Sequence, residues 1–327
     1  MTSMKPVIII CGPTATGKSA LAVEIAKLID GEVISADSRQ VYTGLDIGSA
    51  KITVPEMERI PHHLIDVADP NTIFTVADFQ KLAQEKITDI HARGKMPIIC
   101  GGTGMYIDAV IYNTTFPVVI ANPGLRKELE KYSAEELFEQ LQTLDPDRAT
   151  EIDSQNPVRL IRAIEIATAL RQVPKLAVIP ASEPESRVSS EKSWILNQVQ
   201  DDNTKYNPLW IGLNLPKDIL QDHIKQRILD RISTLADRPT LFDEIKKLHN
   251  SGVSYDRLYS FGMEYRYGSE YVQGNITLDE FNELLSTKTW QFAKRQMTWF
   301  KRNSEINWFD PINDQQKIMK LVQDFLI

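Results

Sequence analysis

Near the start of the chain, Gly12-Pro13-Thr14-Ala15-Thr16-Gly17-Lys18-Ser19 has the spacing G-x-x-x-x-G-K-[ST]. These residue types suit a phosphate. Glycines let successive backbone N–H groups turn toward one anion, and a helix opening after Gly17 adds partial positive charge at its N-terminus. Lys18 supplies a full charge, and the Ser19 hydroxyl can hold Mg²⁺. A purely structural glycine turn would explain neither of those two residues. The motif means polyphosphate; by itself it specifies neither ATP nor hydrolysis. No Asn-Lys-x-Asp segment for reading guanine is present, which argues against a GTPase.

Two other places could complete a reaction centre. Asp37, in Asp37-Ser-Arg-Gln-Val-Tyr, follows a short strand expected at Glu32–Ser35. Ligands of open parallel sheets bind beyond the carboxyl ends of the strands, so Asp37 falls beside the phosphate loop. A carboxylate there can take a proton from a nucleophile, with a capping or loop-solvating role as the plain alternative. Gly101-Gly-Thr-Gly ends another strand and brings the Thr103 hydroxyl to the same crevice, although such a run is also an ordinary strand-to-helix turn. His62 and His63 are adjacent; neighbours on a strand point to opposite faces, which favours a structural role over a metal site.

The elements that must position these residues are visible in the hydrophobic pattern. Pro6–Cys11 is a continuous apolar run, as in a strand buried on both faces. A helix follows from about Lys18 and closes at Gly31. Further strands are expected at Glu32–Ser35, His63–Val67 and Met96–Cys100, with a helix over Thr75–Arg93. Alternating strands and helices predict a parallel sheet with helices on its faces. Residues 122–172 are helical in character and acidic, and Asn156-Pro157 makes a good N-cap and first turn. Residues 181–206 read as a surface insertion. Strand character returns at Leu209–Leu215, before helices near 218–235, 241–250 and 279–302. The expected organisation is a core from residues 1–115 and 207–327, with a helical unit at 116–206 inserted between them.

The late helix predicts a buried stripe of Trp290, Ala293, Met297 and Phe300. Lys294, Arg295, Lys301 and Arg302 lie away from that stripe. Between Ser286 and Arg302 there are five bases and no acids, which suits contact with a phosphate backbone as well as plain solvation.

Composition sets the outer limits. The chain has 327 residues, 42% hydrophobic and 25% charged, and a formal net charge of −7. That balance excludes a protein that coats nucleic acid by bulk charge, but leaves a local basic patch open. No apolar run approaches the roughly 20 residues that span a bilayer. The first apolar run leads straight into the glycine loop, so it reads as a strand rather than a cleaved signal. Two cysteines, Cys11 and Cys100, exclude a disulfide scaffold and suit a reducing cytoplasm.

Taken in order, the segments resemble the tRNA dimethylallyltransferase (isopentenyltransferase) family. The matching pieces are Gly12–Ser19, Asp37–Tyr42, Asp46–Lys51, His62–Asp66, Gly101–Tyr106, Asn156–Glu165 and Ala293–Phe300. The resemblance implies an α/β fold: a P-loop NTPase-like parallel sheet core with an inserted helical domain that grips the anticodon arm. It implies transfer of a dimethylallyl group from its diphosphate to N6 of the adenine beside the anticodon. Asp37 would be the base, with Thr103 helping to place the amine. Gly12 to Ser19, with Mg²⁺ at Ser19, would hold the diphosphate, and Arg231 falls where the family has another diphosphate-contacting arginine. Asp37, Ser38, Arg39 and Gln40, Thr103, Arg126, and Val158, Arg159, Leu160, Ile161 and Arg162 match tRNA-contact positions. The implied partners are tRNA through its anticodon stem-loop and dimethylallyl diphosphate, for a cytoplasmic monomer with no membrane contact. The runner-up is a small-molecule P-loop kinase, with ATP as donor and Asp37 activating a hydroxyl. Departures from the family pattern lie at Ala236–Phe242, at Phe261–Tyr265 and in the 181–206 insertion.

Overall fold

The computed structural model describes residues 4–117, 119, 121–172, 206–233 and 238–326. Most of the insertion read at 181–206 therefore lies outside the described residues. Tyr206 is described, and it is the first residue of a strand. The chain forms two units, Met1–Asn113 with Asn203–Ile327, and Thr114–Asp202.

The first unit carries β1 (Lys5–Cys11), α1 (Lys18–Ile29), β2 (Gly31–Ser35), α2 (Val54–Met57), β3 (His62–His63), α3 (Val76–Ala92), β4 (Met96–Cys100) and α4 (Gly104–Ile111). Among the described residues they pair into a six-stranded sheet of order β3-β2-β4-β1-β5-β6, with β5 at Tyr206–Leu213 and β6 at Asn307–Phe309. All pairings are parallel. Alternate residues of β1 serve opposite faces: Val7, Ile9 and Cys11 pack toward α3 and α4, Ile8 and Ile10 toward α1. Burial on both sides is why the strand reads as an unbroken apolar run. Each such Ile or Val contributes about 1.5–3 kcal/mol relative to exposure. Cys11 and Cys100 lie in clusters on opposite faces, and both thiols are free.

Two strand expectations change. The strand expected at 63–67 is only His62–His63, because Leu64 and Asp66 take left-handed backbone (φ 61° and 54°) and turn the chain away. β5 begins at Tyr206 rather than Leu209, since Tyr206 already pairs with Lys5.

After β5 come α9 (Lys217–Ile232), α10 (Leu241–Asn250), α11 (Tyr255–Ser260), α12 (Met263–Val272), α13 (Leu278–Phe300) and α14 (Gln315–Phe325). The helices α3, α10 and α13 start at capping boxes: Thr75 with Asp78, Thr240 with Asp243, and Thr277 with Glu280. The buried stripe of α13 is Phe281, Leu285, Thr289, Ala293, Gln296 and Phe300. Trp290 and Met297, expected in that stripe, are only half-buried at its margin. No helix among the described residues is long and apolar enough to cross a membrane.

The second unit contains α5 (Pro123–Leu129), α6 (Ala134–Leu144), α7 (Pro146–Glu151) and α8 (Pro157–Gln172). They share a core that includes Leu129, Leu137, Leu141, Leu160, Ile161 and Ile164. Asn156 Oδ1 accepts the Arg159 N–H at 3.3 Å, the N-cap expected from Asn156-Pro157.

Candidate active site

β2, β4 and β1 are neighbours, so the turns at their carboxyl ends converge. The phosphate loop leaves β1 through Gly12, which has φ 136°; a Cβ there would stand 2.4 Å from the Leu213 carbonyl. Ala15 (φ 65°) and Gly17 (φ 82°) complete the bend before α1 opens at Lys18. Thr16 Oγ1 and Lys18 Nζ both donate to the Pro13 carbonyl, which fixes the loop from inside. Lys18 is half-buried, and burial lowers it to about 8. Ser19 is exposed in the first turn of α1.

The second turn follows β2. Asp37 Oδ1 accepts the amides of Arg39 (2.8 Å) and Gln40 (3.3 Å). The capping alternative thus holds for one oxygen; no hydrogen bond to Oδ2 is present among the described residues. The third turn follows β4. Gly101 lies so close to β2 that a Cβ would meet the Ala36 carbonyl at 2.1 Å, and the Thr103 amide donates to the same carbonyl at 3.2 Å. Thr103 Oγ1 accepts the Ser38 amide at 3.2 Å. One network therefore joins the Asp37 and Thr103 turns, and the Asp37 charge acts on both Lys18 and Arg227.

Sequence reading passed over Arg227. Its guanidinium donates to Thr14 Oγ1 at 3.0 Å, and burial first, then the neighbouring Arg231, lowers it to about 10. Four residues earlier on α9, His223 Nδ1 lies 3.2 Å from the Ala15 carbonyl. Arg231, one turn later, pairs with Glu264 at 3.1 Å rather than with the loop, and its buried Nε has no partner among the described residues. The available signal was the spacing 223, 227, 231, which puts three basic residues on one helix face. Lys18 and Arg227 are two desolvated cations, and an incoming anion offsets the cost of their burial.

Gln296 was also missed. Its Oε1 accepts the Thr14 amide at 2.8 Å, and its Nε2 donates to the Gly102 carbonyl at 2.9 Å. The Thr14 amide, expected among those facing a phosphate, is thus already taken. A third missed residue is Glu244, 7% exposed. It accepts the amides of Asp46 (2.9 Å), Ile47 (2.6 Å) and Gly48 (3.0 Å) and the Tyr265 hydroxyl (2.7 Å). A glutamate on the buried side of a helix is visible in sequence; the groups that donate to it are not.

The remaining sequence-read residues divide by burial. Gln40 is held by Ser35 and the Ala50 carbonyl. Lys294, Arg295, Lys301 and Arg302 are exposed, and Arg302 lies 3.9 Å over the Trp299 ring. In the second unit, Val158 and Arg159 are exposed, but Leu160 and Ile161 are core residues whose side chains cannot meet RNA. Helical geometry explains this: five consecutive residues cannot share one face. Arg126 and Arg162 both pair with Glu165, and each keeps more than a third of its side chain exposed. Burial alone would raise Glu165; hydrogen bonds from Arg126, the Asn122 amide and Arg162 outweigh it and hold it at about 2.

The sequence matches the family described as IPP transferase over residues 40–303. The chain belongs to the IPP transferase family. A tRNA dimethylallyltransferase of Halalkalibacterium halodurans is 38% identical over 96% of this chain and 94% of its own length. One from Bacillus subtilis is 37% identical over 94% and 91%. Among solved IPP transferases, a full-length tRNA isopentenylpyrophosphate transferase from Bacillus halodurans superposes with a TM-score of 0.67 at 35% identity, covering 98% of this chain and 97% of that one. A eukaryotic dimethylallyltransferase acting on tRNA gives a TM-score of 0.74 at 25% identity, covering 98% and 79%. With these neighbours the sheet and its phosphate loop are of the P-loop NTPase-like kind.

Proposed function

We infer that this protein transfers a dimethylallyl group from dimethylallyl diphosphate to N6 of the adenine adjacent to the anticodon in tRNA. The products are N6-isopentenyladenosine and diphosphate. The relatives' shared name supports the reaction class. The observation that carries the chemistry is the convergence of the phosphate loop, Asp37 and Thr103 on three adjacent strand ends.

The exocyclic amine is a weak nucleophile because its lone pair is delocalised into the ring. As nitrogen bonds to the allylic carbon, the carbon–oxygen bond breaks and the pair of electrons leaves with the diphosphate. The amine proton passes to Asp37 Oδ2, while Oδ1 stays fixed by two amides. The Thr103 oxygen is held by the Ser38 amide, which leaves its hydroxyl hydrogen to orient the base. The loop from Ala15 to Ser19, Lys18 and Arg227 meet the charge that grows on the leaving group. The target base has to leave its stack to reach these groups.

Mg²⁺ fits this donor set. The exposed Ser19 hydroxyl offers one oxygen beside the diphosphate site, and Mg²⁺ keeps waters and phosphate oxygens as its other ligands. Bound there, it would supply further charge neutralisation of the diphosphate. RNA contact is proposed for Arg39, Arg126, Arg159, Arg162 and the exposed bases of α13 and its end.

The test is incubation of an unmodified anticodon stem-loop with dimethylallyl diphosphate and Mg²⁺, read by mass analysis of the RNA. Gain of one dimethylallyl group on the target adenosine is expected. RNA of unchanged mass would overturn the reading. A parallel arm with ATP tests the kinase alternative, which the relatives do not favour.

A further inference from the structure

Gln296 connects parts of the site that are far apart in sequence. It is 7% exposed, on the buried side of α13. Its carboxamide accepts from Thr14 in the phosphate loop and donates to Gly102, the residue before Thr103. The two partners belong to different strand ends, β1 and β4, and both groups are backbone. A substitution in either partner therefore cannot replace the bridge. Gly102 shows the same closeness from the other side, since a Cβ there would stand 2.3 Å from Gln296 Nε2. A primary amide carries a donor and an acceptor on one planar head, which is what an N–H and a C=O facing each other across a gap require.

We propose that Gln296 is a positioning residue for prenyl transfer: its carboxamide fixes the phosphate loop at a set distance from the Thr103 turn. It touches neither substrate. The loop holds the leaving diphosphate and the turn orients the attacking amine, so their spacing sets the approach of nitrogen to carbon. Misplacement of reacting groups by about 1 Å can cost about 10²-fold in rate. This inference rests on the proposed reaction, and its test separates the two.

The variants are Gln296→Met, which keeps volume and loses both hydrogen bonds, and Gln296→Glu, which keeps the acceptor for Thr14. The carboxyl introduced by Gln296→Glu has no donor for the Gly102 carbonyl while it is ionised; protonation restores one. Three readouts apply: kcat with saturating substrates, affinity for the anticodon stem-loop, and affinity for inorganic pyrophosphate without turnover. Gln296→Met is expected to lower kcat about 10²-fold and to weaken pyrophosphate about tenfold, with stem-loop affinity within about twofold of wild type. For Gln296→Glu, kcat relative to wild type is expected to rise severalfold as pH falls from about 8 to about 5.5. The charged groups that face this region from neighbouring elements (Lys18, Asp37, Arg227 and, on α4, Asp108) are present in both proteins, so the ratio isolates what the substitution changes.

A folded Gln296→Met with kcat within about threefold of wild type overturns the proposal. So does a pH-independent Gln296→Glu ratio, which is the deciding measurement if the Met variant does not fold. A wild type that transfers nothing overturns the reaction instead. Pyrophosphate binding then still decides whether Gln296 shapes the loop, and unchanged affinity in Gln296→Met counts against it.

Discussion

At the scale of single residues, Asp37 and Arg227 separate two kinds of contribution. Asp37→Asn preserves Oδ1 as acceptor for the Arg39 and Gln40 amides, so the turn survives while the proposed base is removed. The expected result is a fall in kcat of roughly 10²–10⁴-fold, with stem-loop affinity nearly unchanged in a titration with labelled RNA. Undiminished turnover would remove Asp37 from proton transfer. In the proposed reaction, Arg227 meets the part of the substrate that departs. Arg227→Gln retains a donor for Thr14 Oγ1 but loses the buried charge. The KM for dimethylallyl diphosphate should rise about tenfold or more, since a charge-assisted contact is roughly twice as strong as a neutral one. An unchanged KM would leave Arg227 as scaffolding for the loop.

At the scale of elements, α13 is the organiser, and a pH measurement can read one of its attachments. Trp299 Nε1 donates to Asp108 Oδ2 at 2.8 Å, tying α13 to α4. Burial raises Asp108 from 3.8 to about 6 against the opposing pull of Trp299 and Arg302. A carboxyl raised in the folded state contributes stability that is complete below about pH 4 and is lost as pH rises through 6. Asp108→Asn keeps the acceptor and removes the ionisation. It should flatten the stability profile between pH 4 and 6 in urea unfolding and add about 3 kcal/mol at pH 7. Glu32 and Glu165, held at about 2, act in a lower window with the opposite sign. The Glu244 clasp on residues 46–48 gives a second test: Glu244→Ala strands three amides and a tyrosine hydroxyl, so a loss of about 3 kcal/mol or more is expected. These attachments also mark what the sequence could and could not reveal. Strands β1, β2 and β4, the loop and the Asp37 and Thr103 turns were legible because periodicity and glycine spacing are local signals. Gln296, Glu244 and Arg227 were not, because each meets partners about 200 or more positions away. The third strand was overread because an apolar alternation says nothing about the left-handed residues Leu64 and Asp66.

At the scale of the whole molecule, a net charge of −7 and a tRNA substrate pull in opposite directions. Long-range attraction to RNA then has to come from local concentrations of positive charge. On the first unit, α13 and the turn after it carry Lys294, Arg295, Lys301 and Arg302, all exposed. The guanidinium of Arg302 rests on the Trp299 indole, which presents it in a fixed place without an ion-pair partner among the described residues. Each cation that neutralises a phosphate releases a counterion, so the slope of log affinity against log salt should count the contacts, at about 0.7–0.9 per phosphate. Replacing all four with glutamine should weaken stem-loop binding most at low salt and reduce the slope by about 3. Turnover with saturating RNA should change little, because none of the four reaches Asp37 or the loop in the hydrogen-bond network. Fluorescence anisotropy over about 50–200 mM salt measures both quantities on the same sample. A slope equal to that of the wild type would mean that these cations are simply solvated. The electrostatic work would then fall to Arg126, Arg159 and Arg162 of the second unit, where Arg126 and Arg162 already share Glu165.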